Sequence, residues 1–142
     1  MEILQNTCLI SAVLAWAVAQ LCKLLIELIA HHQLDWERLT GDGGMPSGHS
    51  ATVTALAAAL LQYGAASFQF AISAVLAIIV MHDAMGVRWQ AGQHARTINE
   101  LLLKLSDTPP EQLLEEFLGH TPLQVAAGAL LGALVAILYS LP

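Results

Sequence analysis

The stretch CLISAVLAWAVAQLCKLLIELIA, residues 8–30, decides the class of fold. Lys23 and Glu27 are its charged residues, and it is long enough to cross a bilayer, because a spanning helix needs about 20 mainly apolar residues. A cleaved signal peptide is disfavoured, since no basic residue precedes the apolar run and the helical pattern continues past Lys23. The stretch therefore predicts a transmembrane helix.

The composition of the whole chain extends this prediction to the whole protein. The 142 residues are 56% hydrophobic and 11% charged, and the mean hydropathy is +0.63. A soluble domain carries about 25% charged residues, so this chain has too few to cover a globule of its size. The net charge of −6 provides no basic surface for nucleic acid. We predict one membrane-embedded domain over residues 1–142, with the bilayer as a partner and no nucleic acid.

Three further apolar stretches predict an all-α bundle with about four transmembrane helices. The last one opens with Thr121 as N-cap and Pro122 at the first helical position. A short turn is predicted at 64–67. The predicted spans are 8–30, 47–63, 68–85 and 121–141.

The region between the last two spans has a different pattern. Residues 87–105 repeat apolar positions at offsets of three and four with charges elsewhere, which predicts an amphipathic helix at the membrane interface. After a break at 106–110, residues 111–118 are predicted as a short helix. In the last span, Gly128 and Gly132 form a GxxxG pattern, which predicts a close-packing face through which oligomers can form.

The basic residues predict the orientation. Arg38, Arg88, Arg96 and Lys104 fall in the two loops on one side of the predicted bundle. By the positive-inside rule these loops lie in the cytoplasm and both termini lie outside. The expected location is the cell membrane, as a multi-pass protein.

Residues suited to chemistry gather on the same side. Two predicted helices begin there, and helix N-termini offer backbone N–H groups and positive dipole ends to an oxyanion such as phosphate. No Cys/His pattern typical of a metal site is present, and we expect no metal or cofactor. The candidate residues at this face are Lys23, Ser47, Gly48, His49, Asp83, Arg88 and His120, with Gly48 contributing its backbone amide.

Two histidines have the positions that phosphoryl transfer requires. His49 lies in the first turn of a helix and can donate a proton to a leaving oxygen, while His120 can attack phosphorus. Gln124, one turn after His120, is spaced to accept the second ring N–H. Asp83 and Arg88 are predicted either to form an ion pair or to support catalysis.

Three blocks of sequence resemble a known family. They are GGMPSGHSAT (43–52), DAMGVRWQAGQ (83–93) followed by Ile98-Asn99, and LGHTPLQVAAGALLG (118–132). In this order they look like the small divergent bacterial branch of the type 2 phosphatidic acid phosphatase and vanadium haloperoxidase superfamily. The resemblance covers the chain from about residue 10 to its C-terminus.

The resemblance implies a metal-independent phosphatase. His120 corresponds to the nucleophile that becomes phosphohistidine, His49 to the general acid, and the Ser47-Gly48 backbone to a phosphate-binding element. The chain departs from the superfamily pattern where Ala30-His31 replace an Arg-Pro pair, Leu114 replaces a phosphate-binding arginine and Gln124 replaces an acidic residue. Arg88 and Lys23 are the cations that can bind phosphate instead.

These observations leave two main hypotheses. The first is a phosphatase for a phosphorylated lipid or isoprenoid at the cytoplasmic leaflet, in which the rings of His49 and His120 must lie within roughly 10–12 Å. The second is a lipid-phosphate-binding or structural membrane protein that keeps the fold without the chemistry. A vanadate-dependent peroxidase is less favoured, because it needs the same set of anion-binding groups and two arginines of that set are absent from this sequence.

Overall fold

The computed structural model describes residues 2–31, 43–105 and 112–140. These residues form helices and irregular segments without a β-strand, so the predicted all-α class is confirmed. Short 3₁₀ turns cover Glu2–Gln5 and Leu61–Tyr63. The predicted break at 106–110 and the middle of the first polar loop lie outside the described residues. The α-helices are α1 (Thr7–His31), α2 (Gly48–Leu60), α3 (Phe68–Met85), α4 (Val87–Leu105) and α5 (Pro122–Ser140).

Three helical stretches in the described ranges are long and apolar enough to cross a membrane: Thr7–Ala30, Phe68–Leu105 and Pro122–Ser140. The predicted span over 47–63 is shorter than expected. Helix α2 has 13 residues, which is about 20 Å at 1.5 Å per residue, against about 30 Å of hydrocarbon core. The chain leaves the helical path at Gly64, whose φ of 95° is a conformation that favours glycine.

This short helix lies at the centre of the bundle. Helix α2 packs against α1, α3 and α5, and α1 also packs against α5. The core between these helices consists largely of small side chains, which let the helix backbones approach closely. Its most buried members include Ala15, Ala19, Ala51, Ala55 and Ala136.

Helices α2 and α5 run parallel, and the two GxxxG glycines allow their backbones to come into contact. A Cβ at Gly128 would overlap the Ser47 carbonyl, and a Cβ at Gly132 would overlap the Ala51 carbonyl. The glycine face is therefore covered inside the chain. The predicted close packing is therefore made within the chain, against α2, and oligomer formation through this face stays a prediction.

Helix α4 has a different environment. Among the helices of the described chain it packs only against α3, from which Gly86 separates it. Its buried positions are Gly92, Ala95 and Asn99. The predicted apolar stripe is largely exposed, as an amphipathic helix at a membrane interface requires; its exposed members are Val87, Ala91, Ile98, Leu102 and Leu105.

Residues 112–119, here called the strap, connect this region to α5. Residues 112–118 have no regular secondary structure, so the predicted short helix is wrong over this range. The physical reason is a competing partner. The Asn99 side chain accepts a hydrogen bond from the Leu114 backbone N–H (2.9 Å) and donates one to the Leu114 carbonyl oxygen (2.8 Å). These two backbone groups are thus held by α4 instead of by a helix.

Candidate functional site

The N-termini of α2 and α5 meet at one end of the bundle and bring the two histidines together. The ring centroids of His49 and His120 are 6.0 Å apart, with an interplanar angle of 61°. This distance satisfies the condition of roughly 10–12 Å derived from the sequence. A single phosphoryl group can therefore reach both imidazoles.

The start of α2 is fixed by Ser47. Its hydroxyl oxygen accepts hydrogen bonds from the Ser50 backbone N–H (3.3 Å) and the Ser50 hydroxyl (3.0 Å), which is the usual role of an N-cap serine. The Ser47 N–H, however, donates to the Gln124 carbonyl oxygen at 3.1 Å. This amide is therefore already bonded to α5, and the expectation that it binds phosphate is wrong. The amides of Gly48 and His49 lie in the first helical turn, where the helix itself provides no acceptor.

The backbone around His120 is held by the α3–α4 junction. Its backbone N–H donates to the Ala84 carbonyl oxygen at 2.9 Å. Gly119, with a φ of 80°, lies so close to the backbone of Arg88 and Trp89 that a Cβ would overlap it. The His120 residue is 1% exposed. The junction and the N-terminus of α5 thus fix the position of this ring.

The Gln124 side-chain oxygen forms a different hydrogen bond from the expected one to the His120 ring. It accepts a hydrogen bond from the Thr121 N–H (2.9 Å), and the Thr121 hydroxyl accepts one from the Gln124 N–H (3.4 Å). This reciprocal pair is a capping box. It confirms Thr121 as the N-cap of α5, and it uses the glutamine oxygen that was expected to orient the nucleophile.

Asp83 and Arg88 form the ion pair that was one of the two expectations for them. The Arg88 Nε donates to an Asp83 carboxylate oxygen at 2.9 Å, and both side chains are about half-buried. An offset of five residues is unfavourable on a regular helix, but the helix is interrupted at Gly86. The pair therefore spans the α3–α4 junction, next to the residue that precedes His120.

Helix α1 contributes a polar face to the site. The aliphatic stem of Lys23 lies against Gly44, with the Lys23 Cδ 3.7 Å from the position that a Gly44 Cβ would occupy. Gln20 was not singled out from the sequence, yet its side-chain oxygen lies 3.9 Å from the corresponding position at Gly48. The sequence does contain a signal for Gln20, because it is a second polar residue three positions before Lys23 on a transmembrane helix.

The arrangement brings two imidazoles to the N-termini of α2 and α5, with the Lys23 stem against Gly44 and Arg88 paired with Asp83 at the α3–α4 junction. Within the described ranges, no cluster of three or more His, Cys, Asp or Glu side chains could hold a metal ion. The fold and the order of the three sequence blocks define a helical membrane protein of the phosphatidic acid phosphatase type.

Comparison with known proteins agrees with this class. Residues 4–135 match the model of the Divergent PAP2 family, and the chain belongs to this family. It is 40% identical over 151 aligned positions to the uncharacterized membrane protein YuiD of Bacillus subtilis (strain 168), with 96% of each chain covered. No solved structure matches the chain.

Proposed function

We propose that the protein is a phosphatase that hydrolyses a phosphorylated lipid or isoprenoid at the cytoplasmic face of the cell membrane. The observation that carries this proposal is the 6.0 Å separation of the His49 and His120 rings at two helix N-termini. Membership of the Divergent PAP2 family supports the same chemistry.

The proposed reaction has two steps. A ring nitrogen of His120 attacks phosphorus, the bond between phosphorus and the leaving oxygen breaks, and protonated His49 donates its proton to that oxygen. Water then attacks the phosphohistidine. His49 accepts a proton from this water, the phosphorus–nitrogen bond breaks, and inorganic phosphate leaves. Both histidines return to their starting states.

Phosphate is held by backbone and cationic groups in this proposal. The first-turn amides of Gly48 and His49 lie at the N-terminus of α2. This is the positive end of the helix dipole, and it favours binding of an oxyanion. Lys23, whose stem lies against Gly44, and Arg88 supply positive charge. Ser47 acts through its cap, which fixes the direction of the first turn.

A second function is favoured by separate observations. His120 is 1% exposed, the Gln124 oxygen is used in the capping box, and Leu114 stands where the superfamily has an arginine. A site built in this way can bind a lipid phosphate headgroup without turning it over. The alternative is therefore a non-catalytic lipid-phosphate-binding protein of the same fold.

Phosphate release distinguishes the two. We expect the purified full-length protein in detergent micelles to release phosphate from phosphatidic acid or farnesyl phosphate in the presence of EDTA, and vanadate to inhibit it. Acid-sensitive, base-stable radiolabel should appear on His120 after incubation with a ³²P-labelled substrate. His120→Ala should lower turnover by at least about 10³-fold.

His49 requires a different test because its role is proton donation. We expect His49→Ala to lower turnover on an alkyl phosphate by about 10²–10⁴-fold, but much less on p-nitrophenyl phosphate, whose leaving group needs no proton. His94→Ala, an exposed histidine on α4, serves as the matched control. Undiminished turnover in His120→Ala would contradict the assigned nucleophile. Retention of the wild-type protein on phosphatidic acid vesicles without phosphate release would favour the binding protein.

A further inference from the structure

The second sequence block, 83–93 with Ile98-Asn99, contributes only Arg88 to the proposed chemistry. The structure gives the rest of the block a different task. We infer that Asn99 is a positioning residue, which holds the strap on α4 so that His120 stands opposite His49. The catalytic consequence of this inference rests on the proposed function, whereas the strap contacts themselves do not.

Asn99 is a polar attachment of the strap to α4. The residue is 2% exposed, and its amide pairs with both backbone groups of Leu114. Its second N–H donates to a Glu116 carboxylate oxygen at 2.8 Å. A buried amide that binds a backbone N–H and C=O together replaces the partners that regular secondary structure would provide. Removing the amide takes this partner from both backbone groups and so weakens the attachment of the strap to α4.

Glycine positions complete the attachment between Asn99 and the nucleophile. A Cβ at Gly92 would lie 2.6 Å from the Glu116 carbonyl oxygen and 3.0 Å from that of Leu118. The strap therefore runs directly over the α4 backbone there. On its other side, a Cβ at Gly43 would lie 2.8 Å from the Phe117 carbonyl oxygen. The strap is thus held between α4 and the turn that leads to Ser47.

These contacts lead directly into the site. Beyond Leu118, Gly119 packs on the Arg88–Trp89 backbone, and the His120 backbone N–H donates a hydrogen bond to the Ala84 carbonyl oxygen. The last two attachments, to Arg88–Trp89 and to Ala84, lie on α4 and α3, while His49 lies on α2. The position of His120 relative to His49 therefore depends on how the strap is seated. Because α4 packs against no helix other than α3 in the described chain, the strap can be loosened without repacking α1, α2 and α5.

The test compares Asn99→Ala with Gln93→Ala, an exposed amide on the same helix. Hydrogen exchange of the peptide covering the strap and His120 is measured by mass spectrometry on the full-length protein in micelles. Carbethoxylation of His120 by diethyl pyrocarbonate is followed in parallel. In Asn99→Ala we expect both rates to rise by about tenfold, because the part-buried hydrogen bonds that hold the strap are lost, and in Gln93→Ala to stay at the wild-type values.

Gly92→Ala provides a second, independent perturbation. The substitution raises helix propensity, so it should not unfold α4. Its methyl group would nevertheless displace the strap at Glu116. We expect faster exchange of the strap and faster His120 carbethoxylation here too. This variant decides the question if Asn99→Ala does not fold.

Where the wild-type protein releases phosphate, kinetics separate positioning from general stability. Asn99→Ala should lower kcat by about tenfold and leave KM within about twofold, because the phosphate-binding groups on α1 and α2 are unchanged and Arg88 lies about three turns before Asn99 on α4. Where the wild type releases none, the proposed function fails and the exchange and carbethoxylation rates still decide the inference. Rates in Asn99→Ala or Gly92→Ala equal to those of the wild type would overturn it, as would an equal change in Gln93→Ala.

Discussion

The two histidines are positioned by two regions that use opposite means. Between α2 and α5, the contact consists of Ser47 and Ala51 against Gly128 and Gly132, where missing side chains let two parallel backbones touch. Between α4 and the strap, the contact depends on a buried amide that binds backbone groups. The first region is a packed surface of small residues, and the second is a hydrogen-bonded attachment.

The difference shows what each region can tolerate. Close packing of glycine against carbonyl groups leaves no room for even one methyl group, so its failure should affect the whole bundle. A strap held by a few hydrogen bonds can loosen locally, because its opening does not require the helices to separate. We therefore expect stability to depend on the first region and the alignment of His120 to depend more on the second.

The largest expected effect comes from filling the α2–α5 contact. Gly128→Leu should destabilise the protein by at least about 3 kcal/mol or prevent folding, because its side chain would overlap the Ser47 backbone. Thermal unfolding in micelles measures this effect. Ala126→Leu, at an exposed position of the same helix, is the control and should remain within about 0.5 kcal/mol of wild type. Equal melting temperatures for the two variants would contradict the close contact.

A smaller but more local effect is expected at Gly119. Alanine there must adopt a φ near 80°, which costs about 1–2 kcal/mol, and its methyl group would overlap the Trp89 backbone. Gly119→Ala should therefore shift His120 away from His49 while the bundle stays folded. NMR spectra of ¹⁵N-histidine-labelled protein measure the change in the two ring environments. Unchanged ring signals would show that the junction does not set the position of His120.

The Asp83–Arg88 pair should matter little for stability. Both side chains are about half-exposed to solvent, and exposed ion pairs contribute about 0–1 kcal/mol. Asp83→Asn should lower the free energy of unfolding by about 0.5 kcal/mol or less, and added salt should reduce the difference. A double-mutant cycle with Arg88→Gln measures the coupling. A coupling above about 2 kcal/mol would mean that the pair carries more of the α3–α4 junction than its exposure indicates.

The smallest effect is expected at Gln124. The sequence alone predicts that Gln124 accepts a hydrogen bond from the His120 ring, at a position where the superfamily pattern has an acidic residue. The structure instead uses the Gln124 oxygen in the capping box with Thr121, a role that glutamate fills equally well. Gln124→Glu should therefore change phosphate release by less than about twofold and stability by about 0.5 kcal/mol or less. A tenfold change in turnover would indicate direct contact with the ring during the reaction.

The comparison also shows which residues the sequence could identify. Ser47, His49 and His120 were identifiable because each begins a predicted helix with a residue type suited to capping or phosphoryl transfer. Asn99 was not assigned a role, since a single polar residue on an amphipathic helix looks the same whether it faces water or a strap that packs over it. A similar limit explains why residues 112–118 were predicted as a helix. Helix propensity depends on neighbouring residues, so it does not include the hydrogen bonds that Leu114 forms with Asn99, 15 positions away in the chain.

The sequence by itself determined the helical membrane class, the ends of most helices and the family. These follow from composition, from periods of three to four residues and from caps, all of which act over short distances along the chain. The tertiary structure decided that α2 is short and central, that Gly128 and Gly132 pack against α2, and that Gln124 caps α5. It also decided how closely His49 and His120 approach. Each of these depends on which backbone atoms become neighbours once the helices pack, and that information lies in no single segment of the sequence.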